Sequence, residues 1–189
     1  MKQIMIHAHT LDAARAALVV IDMQEAFRTS IHEFSETATR IARLTEGARL
    51  LRLPILVTEQ YPKGLGRTAA EILRALPADV EPIEKTAFSC CGASSFIEQL
   101  QQTNARQLLL CGIEAHVCVN QTAHDLLERG YQVHLLQDCI TARSALNKET
   151  GMQKMQQSGA LVSSTELALF ELLRDAQHEQ FKAVQKLIK

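Results

Sequence analysis

Short apolar runs alternate along the chain with longer stretches of helical periodicity. Six runs are rich enough in Val, Ile and Leu to predict strands that are buried on both faces. These runs are Ala16–Asp22, Pro54–Gln60, Pro82–Phe88, Arg106–Ile113, Tyr131–Asp138 and Ala160–Thr165. Because a segment of different pattern separates each run from the next, we expect six separate strands.

The segments between the runs place apolar residues at the spacing of amphipathic helices. The helical pattern covers Glu36–Leu53, Ser94–Gln102, Val117–Arg129, Asn147–Ser158, Thr165–Ala176 and His178–Lys189. Asn147 and Thr165 are the predicted N-caps of their helices. The stretch TEQYPKGLGRTAAEI follows the second strand, and its proline and two glycines predict an irregular loop.

Strands that alternate with helices predict right-handed βαβ crossovers. The expected fold is a Rossmann-like three-layer α/β/α arrangement with a mainly parallel six-stranded sheet, in a single domain over residues 1–189. Ligands of such folds bind outside the carboxyl ends of the strands. Residues at those ends are therefore the first candidates for a functional site.

Composition and charge narrow the range of partners. The 189 residues are 47% hydrophobic and 22% charged, and the formal net charge is -1. The basic residues are spread along the chain without the stripe that nucleic-acid binding needs. No apolar run approaches the roughly 20 residues of a membrane span. With five cysteines and no signal-peptide pattern, a reduced, cytoplasmic setting is favoured, without nucleic-acid or membrane partners.

Three chemically capable side chains fall at the expected strand ends. Asp22 closes the first strand, Lys85 lies in the third, and Cys118 follows the fourth at the start of a helix. A cysteine in the first turn of a helix lies near the positive end of the helix dipole, which favours the nucleophilic thiolate. Asp22 is a candidate base for the thiol proton, and Lys85 a positive charge beside both. Each also has an ordinary structural explanation: a packed thiol, a strand-end cap and a snorkelling lysine.

The remaining polar residues form no recognisable constellation. His116 stands two residues before Cys118, a spacing from which its ring does not readily reach the thiol. No CxxC, HExxH or Asp-x-His pattern supplies metal ligands, so we expect no metal and no other cofactor. Cys90 and Cys91 are adjacent, which disfavours a disulfide between them but leaves open a redox role with another cysteine.

Three segments resemble the isochorismatase-like cysteine hydrolases: ALVVIDMQEAF, IEKTAFS and LLLCGIEAHVCVNQTAHDLLERGYQVHLLQDC. The resemblance covers most of the chain, from about Ala16 to about Leu169. The third segment and the loop VTEQYPKGLG are most similar to the isochorismatase domain-containing branch. The resemblance implies that Asp22 is the acid/base carboxylate, Lys85 the catalytic lysine and Cys118 the nucleophile.

The same resemblance implies a cis peptide bond between Ile113 and Glu114. The backbone N–H groups of Glu114 and Cys118 would then form an oxyanion hole. The residues expected to line the substrate pocket are Phe27, Gln60, Tyr61 and Phe88. For each of these four, plain packing is the alternative.

The implied activity is metal-independent hydrolysis of a C–N bond in a small amide-type substrate, through a thioester on Cys118. True isochorismatases lack this cysteine, so its presence favours amide hydrolysis over vinyl-ether cleavage. The segment after the second strand has no histidine, unlike the metal-dependent nicotinamidase branch. Ala115 stands where many members have threonine.

Several alternatives stay open on the sequence. They are an isochorismatase-type vinyl-ether hydrolase, a catalytically silent binding or scaffold protein of the same fold, and a thiol redox protein. The resemblance also implies self-association, as a homodimer or a larger homo-oligomer, with a small molecule as the substrate.

Overall fold

In a computed structural model, which describes residues 7–189, six strands form one sheet in the order β3-β2-β1-β4-β5-β6. Every neighbouring pair is parallel. The strands are β1 (Ala16–Ile21), β2 (Ile55–Gln60), β3 (Ile83–Lys85), β4 (Gln107–Gly112), β5 (Gln132–Ile140) and β6 (Leu161–Ser163). The predicted α/β fold with a parallel six-stranded sheet is confirmed.

Eight α-helices connect and cover the strands in the described part of the chain. They are α1 (Phe34–Leu50), α2 (Pro62–Leu65), α3 (Ala70–Ala75), α4 (Ser94–Gln102), α5 (Asn120–Glu128), α6 (Ala145–Gln157), α7 (Thr165–Leu173) and α8 (Phe181–Ile188). A single π-helical turn, Ala115–Val119, joins β4 to α5. None of the described helices is long and apolar enough to cross a bilayer.

The central strand β1 divides the core between the two faces of the sheet. Leu18 and Val20 pack into the cluster that includes residues of α1, α3 and α7. Val19 and Ile21 pack into the second cluster, with residues of α4, α5 and α6. Successive side chains of a strand point to opposite faces, so β1 contributes to the packing of both helical layers. The result is a three-layer arrangement with the strands buried in the middle.

The structure differs from the sequence prediction mainly at the ends of elements. TEQYPKGLGRTAAEI is not an irregular loop throughout, because α2 and the beginning of α3 lie within it. Pro62 opens α2, at a position where a missing backbone N–H costs no helical hydrogen bond. The proline and the two glycines had predicted an irregular loop, but Gly64 lies inside α2 and Gly66 separates α2 from α3.

The N-caps of α6 and α7 are also displaced from the predicted residues. Ser144 caps α6, and its hydroxyl accepts a hydrogen bond from the Asn147 backbone N–H. Ser164 caps α7 in the same way, and Thr165 is the first residue of the helix. In both cases a serine lies just upstream of the predicted cap, and serine is among the preferred residues for this role.

Gly112 ends β4 where that strand runs beside β1. Its φ is +118°, and a Cβ at this position would lie 2.0 Å from the carbonyl oxygen of Ile21. Only glycine adopts this backbone conformation readily and also leaves room for the neighbouring chain. The ends of β1 and β4 are therefore in backbone contact, immediately before Asp22 on one strand and Ile113 on the other.

Candidate active site

The carboxyl ends of β1 and β3 bring two opposite charges together beneath the surface. Lys85, the last residue of β3, places its Nζ 2.6 Å from Oδ2 of Asp22, which follows β1. Lys85 is 4% exposed and Asp22 is 2% exposed. Because parallel strands end at the same edge of a sheet, residues far apart in sequence form a buried ion pair.

The Lys85 ammonium is surrounded by acceptors in addition to Asp22. Its Nζ lies 2.6 Å from Gln60 Oε1, 3.0 Å from the carbonyl oxygen of Phe88 and 3.2 Å from that of Ala87. An ammonium has three protons to donate and accepts none, so this environment satisfies it completely. A buried charge without such partners would cost several kcal/mol.

Gln24 holds Gln60 in place and was not identified from the sequence. Its Nε2 donates to the carbonyl oxygens of Gln60, at 3.0 Å, and Gly66, at 2.8 Å. Its Oε1 accepts from the Gln60 backbone N–H at 2.8 Å. The side chain is fully buried and every polar atom is paired. The available signal was a glutamine two residues after Asp22, next to a strand that is otherwise apolar.

Cys118 lies within the π-helical turn Ala115–Val119, and only 7% of it is exposed. Burial is the main cause that raises the pKa of its thiol, followed by the negative charge of Asp22 and a hydrogen bond to that carboxylate. The positive charge of Lys85 opposes this change and is outweighed. Cys118 does lie in the first turn of the continuous helical segment formed by this turn and α5, but burial dominates its pKa, so the helix-dipole expectation of a thiolate is not met. The resting group is a neutral thiol beside an ion pair.

The segment before Cys118 carries the implied oxyanion donors. The Ile113–Glu114 peptide bond is cis in the structure. The Glu114 carboxylate accepts hydrogen bonds from the backbone N–H of Arg143, at 2.9 Å, and from its Nε, at 3.0 Å. Burial works against the charge of Glu114, but these hydrogen bonds outweigh it and lower the pKa of the carboxyl. Arg143 thus ties this segment to the end of β5.

A cavity of about 500 Å³ opens on the β2–β3 side of the ion pair. Lys85 lines it, together with Tyr61, Thr86, Ala93 and Ser94. Asp22 and Cys118 are not among its lining residues, and the cavity meets the ion pair at Lys85. A cavity of this size suits a small molecule.

The four predicted pocket residues occupy different environments. Tyr61 lines the cavity and is 55% exposed. Gln60 contacts Lys85, while Phe27 packs against the hydrophobic cluster under α1. Phe88 is 53% exposed at the surface, although its carbonyl oxygen accepts from Lys85. The structure therefore brings Gln60 and Tyr61 to the candidate site by their side chains and Phe88 by its backbone alone.

The cysteines form no disulfide, and no metal-binding cluster stands beside this site in the part of the chain that the structure describes. All five cysteines are free, and Cys90 is completely buried beside Thr58. Within residues 7–189, no group of three or more His, Cys, Asp or Glu residues is placed to hold a metal ion.

Comparison with known proteins identifies the family. Residues 16–167 match the family described as Isochorismatase domain. The chain belongs to the isochorismatase domain family. The resemblance seen in the sequence is thereby confirmed at the level of the family, over the region that carries Asp22, Lys85 and Cys118.

Relatives of known sequence or structure cover nearly the whole chain. Isochorismatase domain-containing protein 2 of Danio rerio is 40% identical over 94% of this chain and 89% of its own length. The structure titled MAR1 ribonuclease from Caenorhabditis elegans is 40% identical, with a TM-score of 0.91 over 95% of this chain and 92% of that one.

A more distant solved structure is that of the YcaC gene product of Escherichia coli, described as an octameric hydrolase of unknown specificity. It has a TM-score of 0.89 at 21% identity, over 97% of this chain and 91% of that chain. At this identity the similarity shows a shared fold alone. The isochorismatase-like fold therefore includes hydrolases.

We predict that Lys85→Met lowers the free energy of unfolding by about 3–5 kcal/mol, because it leaves the Asp22 carboxylate buried without its cation. The double variant Lys85→Met/Asp22→Asn removes both charges and is expected to recover part of this loss. Urea unfolding measures both effects.

The matched control is Lys148→Met, which breaks the more exposed Lys148–Glu33 ion pair. Such surface pairs contribute about 0–1 kcal/mol. Equal losses in the Lys85 and Lys148 variants would show that burial of the Lys85–Asp22 pair has no energetic consequence.

Proposed function

We propose that the protein is a metal-independent cysteine hydrolase that cleaves a C–N bond in a small amide-type substrate. The observation that carries the proposal is the buried Lys85–Asp22 ion pair. The negative charge of its Asp22 carboxylate acts on the neighbouring Cys118 thiol. A nucleophile, a base and a cation that keeps the base charged are the parts that covalent hydrolysis of an amide needs.

In the first half-reaction, Asp22 accepts the Cys118 proton as the sulfur attacks the substrate carbonyl carbon. The backbone N–H groups of Glu114 and Cys118 donate to the developing oxyanion, an arrangement worth roughly 3 kcal/mol per donor in other enzymes. Asp22 then protonates the departing amine while the C–N bond breaks. A thioester on Cys118 and a free amine or ammonia result.

In the second half-reaction, Asp22 takes a proton from water as the water oxygen attacks the thioester. Collapse of the tetrahedral intermediate releases the carboxylic acid, and the proton on Asp22 returns to the Cys118 sulfur. Lys85 stays protonated throughout and stabilises the carboxylate whenever it is charged. The cycle ends with the neutral thiol and the ion pair from which it began.

A neutral thiol at rest suits this order of events. Because burial and the Asp22 charge raise the Cys118 pKa, thiolate is scarce near neutral pH. We therefore expect proton transfer to Asp22 to accompany attack on the substrate. The nucleophile is then generated only when a carbonyl carbon is in position to react.

We also propose that the protein self-associates, as the E. coli YcaC gene product is described to do. Leu167 and Phe170 lie on the same side of α7 and are 46% and 39% exposed. Burial of such apolar side chains favours association.

We expect light scattering to give at least twice the monomer mass of 21.0 kDa, and the mass to fall in Leu167→Glu/Phe170→Glu. A monomer alone across micromolar concentrations would contradict this.

An ammonia-release screen over small amides tests the activity. We expect at least one amide to be hydrolysed, and Cys118→Ala to lower that rate by roughly 10³-fold or more, because it removes the nucleophile. Cys91→Ala is the matched control, since it removes a half-buried thiol of the same chemistry.

The screen includes arms for the other candidate reactions. Isochorismate tests vinyl-ether cleavage, and single-stranded RNA is included because a solved relative is titled a ribonuclease. Turnover of either one that survives in Cys118→Ala would contradict thiol-dependent amide hydrolysis as the function. Loss of all amide hydrolysis in Cys91→Ala, with Cys118→Ala active, would contradict the assignment of Cys118 as the nucleophile.

Asp22→Asn should change hydrolysis and thiol alkylation in opposite directions. Without the negative charge of Asp22, the pKa of Cys118 falls, so iodoacetamide modifies Cys118 faster at pH 8. Hydrolysis is expected to fall by about 10²–10⁴-fold because the base is missing. The two rates are measured on the same preparation, with mass spectrometry to assign the modified cysteine. Slower alkylation in Asp22→Asn would mean that Asp22 does not act on Cys118 as proposed.

A further inference from the structure

Thr58 on β2 contacts Asp22 at two points. Its carbonyl oxygen accepts a hydrogen bond from the Asp22 backbone N–H at 3.1 Å. Its hydroxyl donates to Asp22 Oδ1 at 2.7 Å. Asp22 has a φ of +50°, a left-handed conformation that is uncommon outside glycine, although aspartate tolerates it better than most residues. Thr58 is fully buried and supports both the backbone and the side chain of Asp22.

The direction of the Thr58 hydroxyl is fixed by the Asp22 carboxylate. A hydroxyl has one proton, and the Asp22 carboxylate can only accept it. Cys90 Sγ lies 3.6 Å from Thr58 Oγ1, so the Cys90 thiol is left to donate to that oxygen. Burial, and after it the Asp22 charge, raises the pKa of Cys90 to about 12, which keeps this donor protonated. The backbone N–H of Cys90 donates in turn to Thr122 Oγ1 at 2.9 Å.

The two oxygens of the Asp22 carboxylate are therefore held from different strands. Oδ1 accepts from Thr58 on β2, and Oδ2 accepts from Lys85 on β3. A single contact at Oδ2 would neutralise the charge but would leave the carboxylate free to rotate about its last torsion. The second contact removes that freedom.

We propose that Thr58 is a positioning residue for hydrolysis, which fixes the orientation in which the Asp22 carboxylate meets the Cys118 thiol. This inference rests on the proposed function and names a residue that acts through Asp22, without contact with the substrate. With the Thr58 proton committed to Asp22, the Cys90 thiol lies 3.6 Å from Thr58 Oγ1 as a donor to that oxygen. Thr58 supplies orientation, whereas Lys85 supplies charge.

The test compares two variants of Thr58 with one control variant of another buried threonine. Thr58→Val keeps the shape of the side chain and removes the donor, and we expect kcat to fall about tenfold with little change in KM. Thr58→Ser retains the hydroxyl and should restore most of kcat. Thr45→Val is the matched control, because Thr45 is also fully buried and its hydroxyl donates only to the Ile41 carbonyl oxygen in α1. It should keep the wild-type kcat.

The pH dependence of Cys118 alkylation separates positioning from general stability. The groups that act on Cys118 are Asp22, Lys85 and Cys90. In Thr58→Val the carboxylate loses a donor that offsets its charge, so the pKa of Cys118 rises and alkylation moves to higher pH. Thr58→Ser should return the profile towards wild type, and Thr45→Val should leave it unchanged.

A wild-type kcat and a wild-type alkylation profile in Thr58→Val would overturn the proposal. If Thr58→Val does not fold, Thr58→Ala, which also lacks the hydroxyl, takes its place with the same expected changes. Failure of the proposed function looks different: the wild-type protein then hydrolyses no amide in a Cys118-dependent way. The alkylation profiles still decide in that case whether Thr58 controls the Asp22–Cys118 pair.

Discussion

Two opposite charges lie below the surface at the carboxyl edge of the sheet, and the rest of the candidate site depends on satisfying them. Removing Lys85 and Asp22 from water is costly, and their mutual attraction offsets that cost only with additional hydrogen bonds. The structure provides them: Gln60 and two carbonyl oxygens for the ammonium, and Thr58 for the carboxylate. Three neighbouring strands must end in register for these groups to meet.

Burial and the Asp22 charge together keep the thiol of Cys118, the proposed nucleophile, protonated. A thiol that is buried beside a carboxylate stays neutral. The positive charge of Lys85 lowers the pKa of the thiol, but burial and Asp22 outweigh it. In many cysteine enzymes a lowered pKa prepares the thiolate before substrate arrives. In the proposed mechanism, proton transfer to Asp22 instead accompanies attack on the substrate. A neutral thiol is also less open to oxidation, since oxidants react with the thiolate.

Much of the fold followed from patterns that are local in sequence. Helix α4 has the predicted bounds, and the strands β1 and β2 begin or end within one residue of prediction. The caps Ser144 and Ser164 were missed because several polar residues compete at each helix start, and only the backbone geometry selects among them. Gln24 and Thr58 were missed for another reason: their partners are 36 residues away along the chain, and no local pattern encodes such contacts.

Gly112 affects the geometry of the site because it has no Cβ atom. Because its α-carbon carries no substituent, the ends of β1 and β4 approach to backbone contact at Ile21. Asp22 follows one of these strands, and the Ile113–Glu114 segment follows the other. A methyl group at this point would act as a spacer between the proton acceptor and the proposed oxyanion donors. Gly112, which has no reactive side chain, thus sets the distance between Asp22 and the Ile113–Glu114 segment.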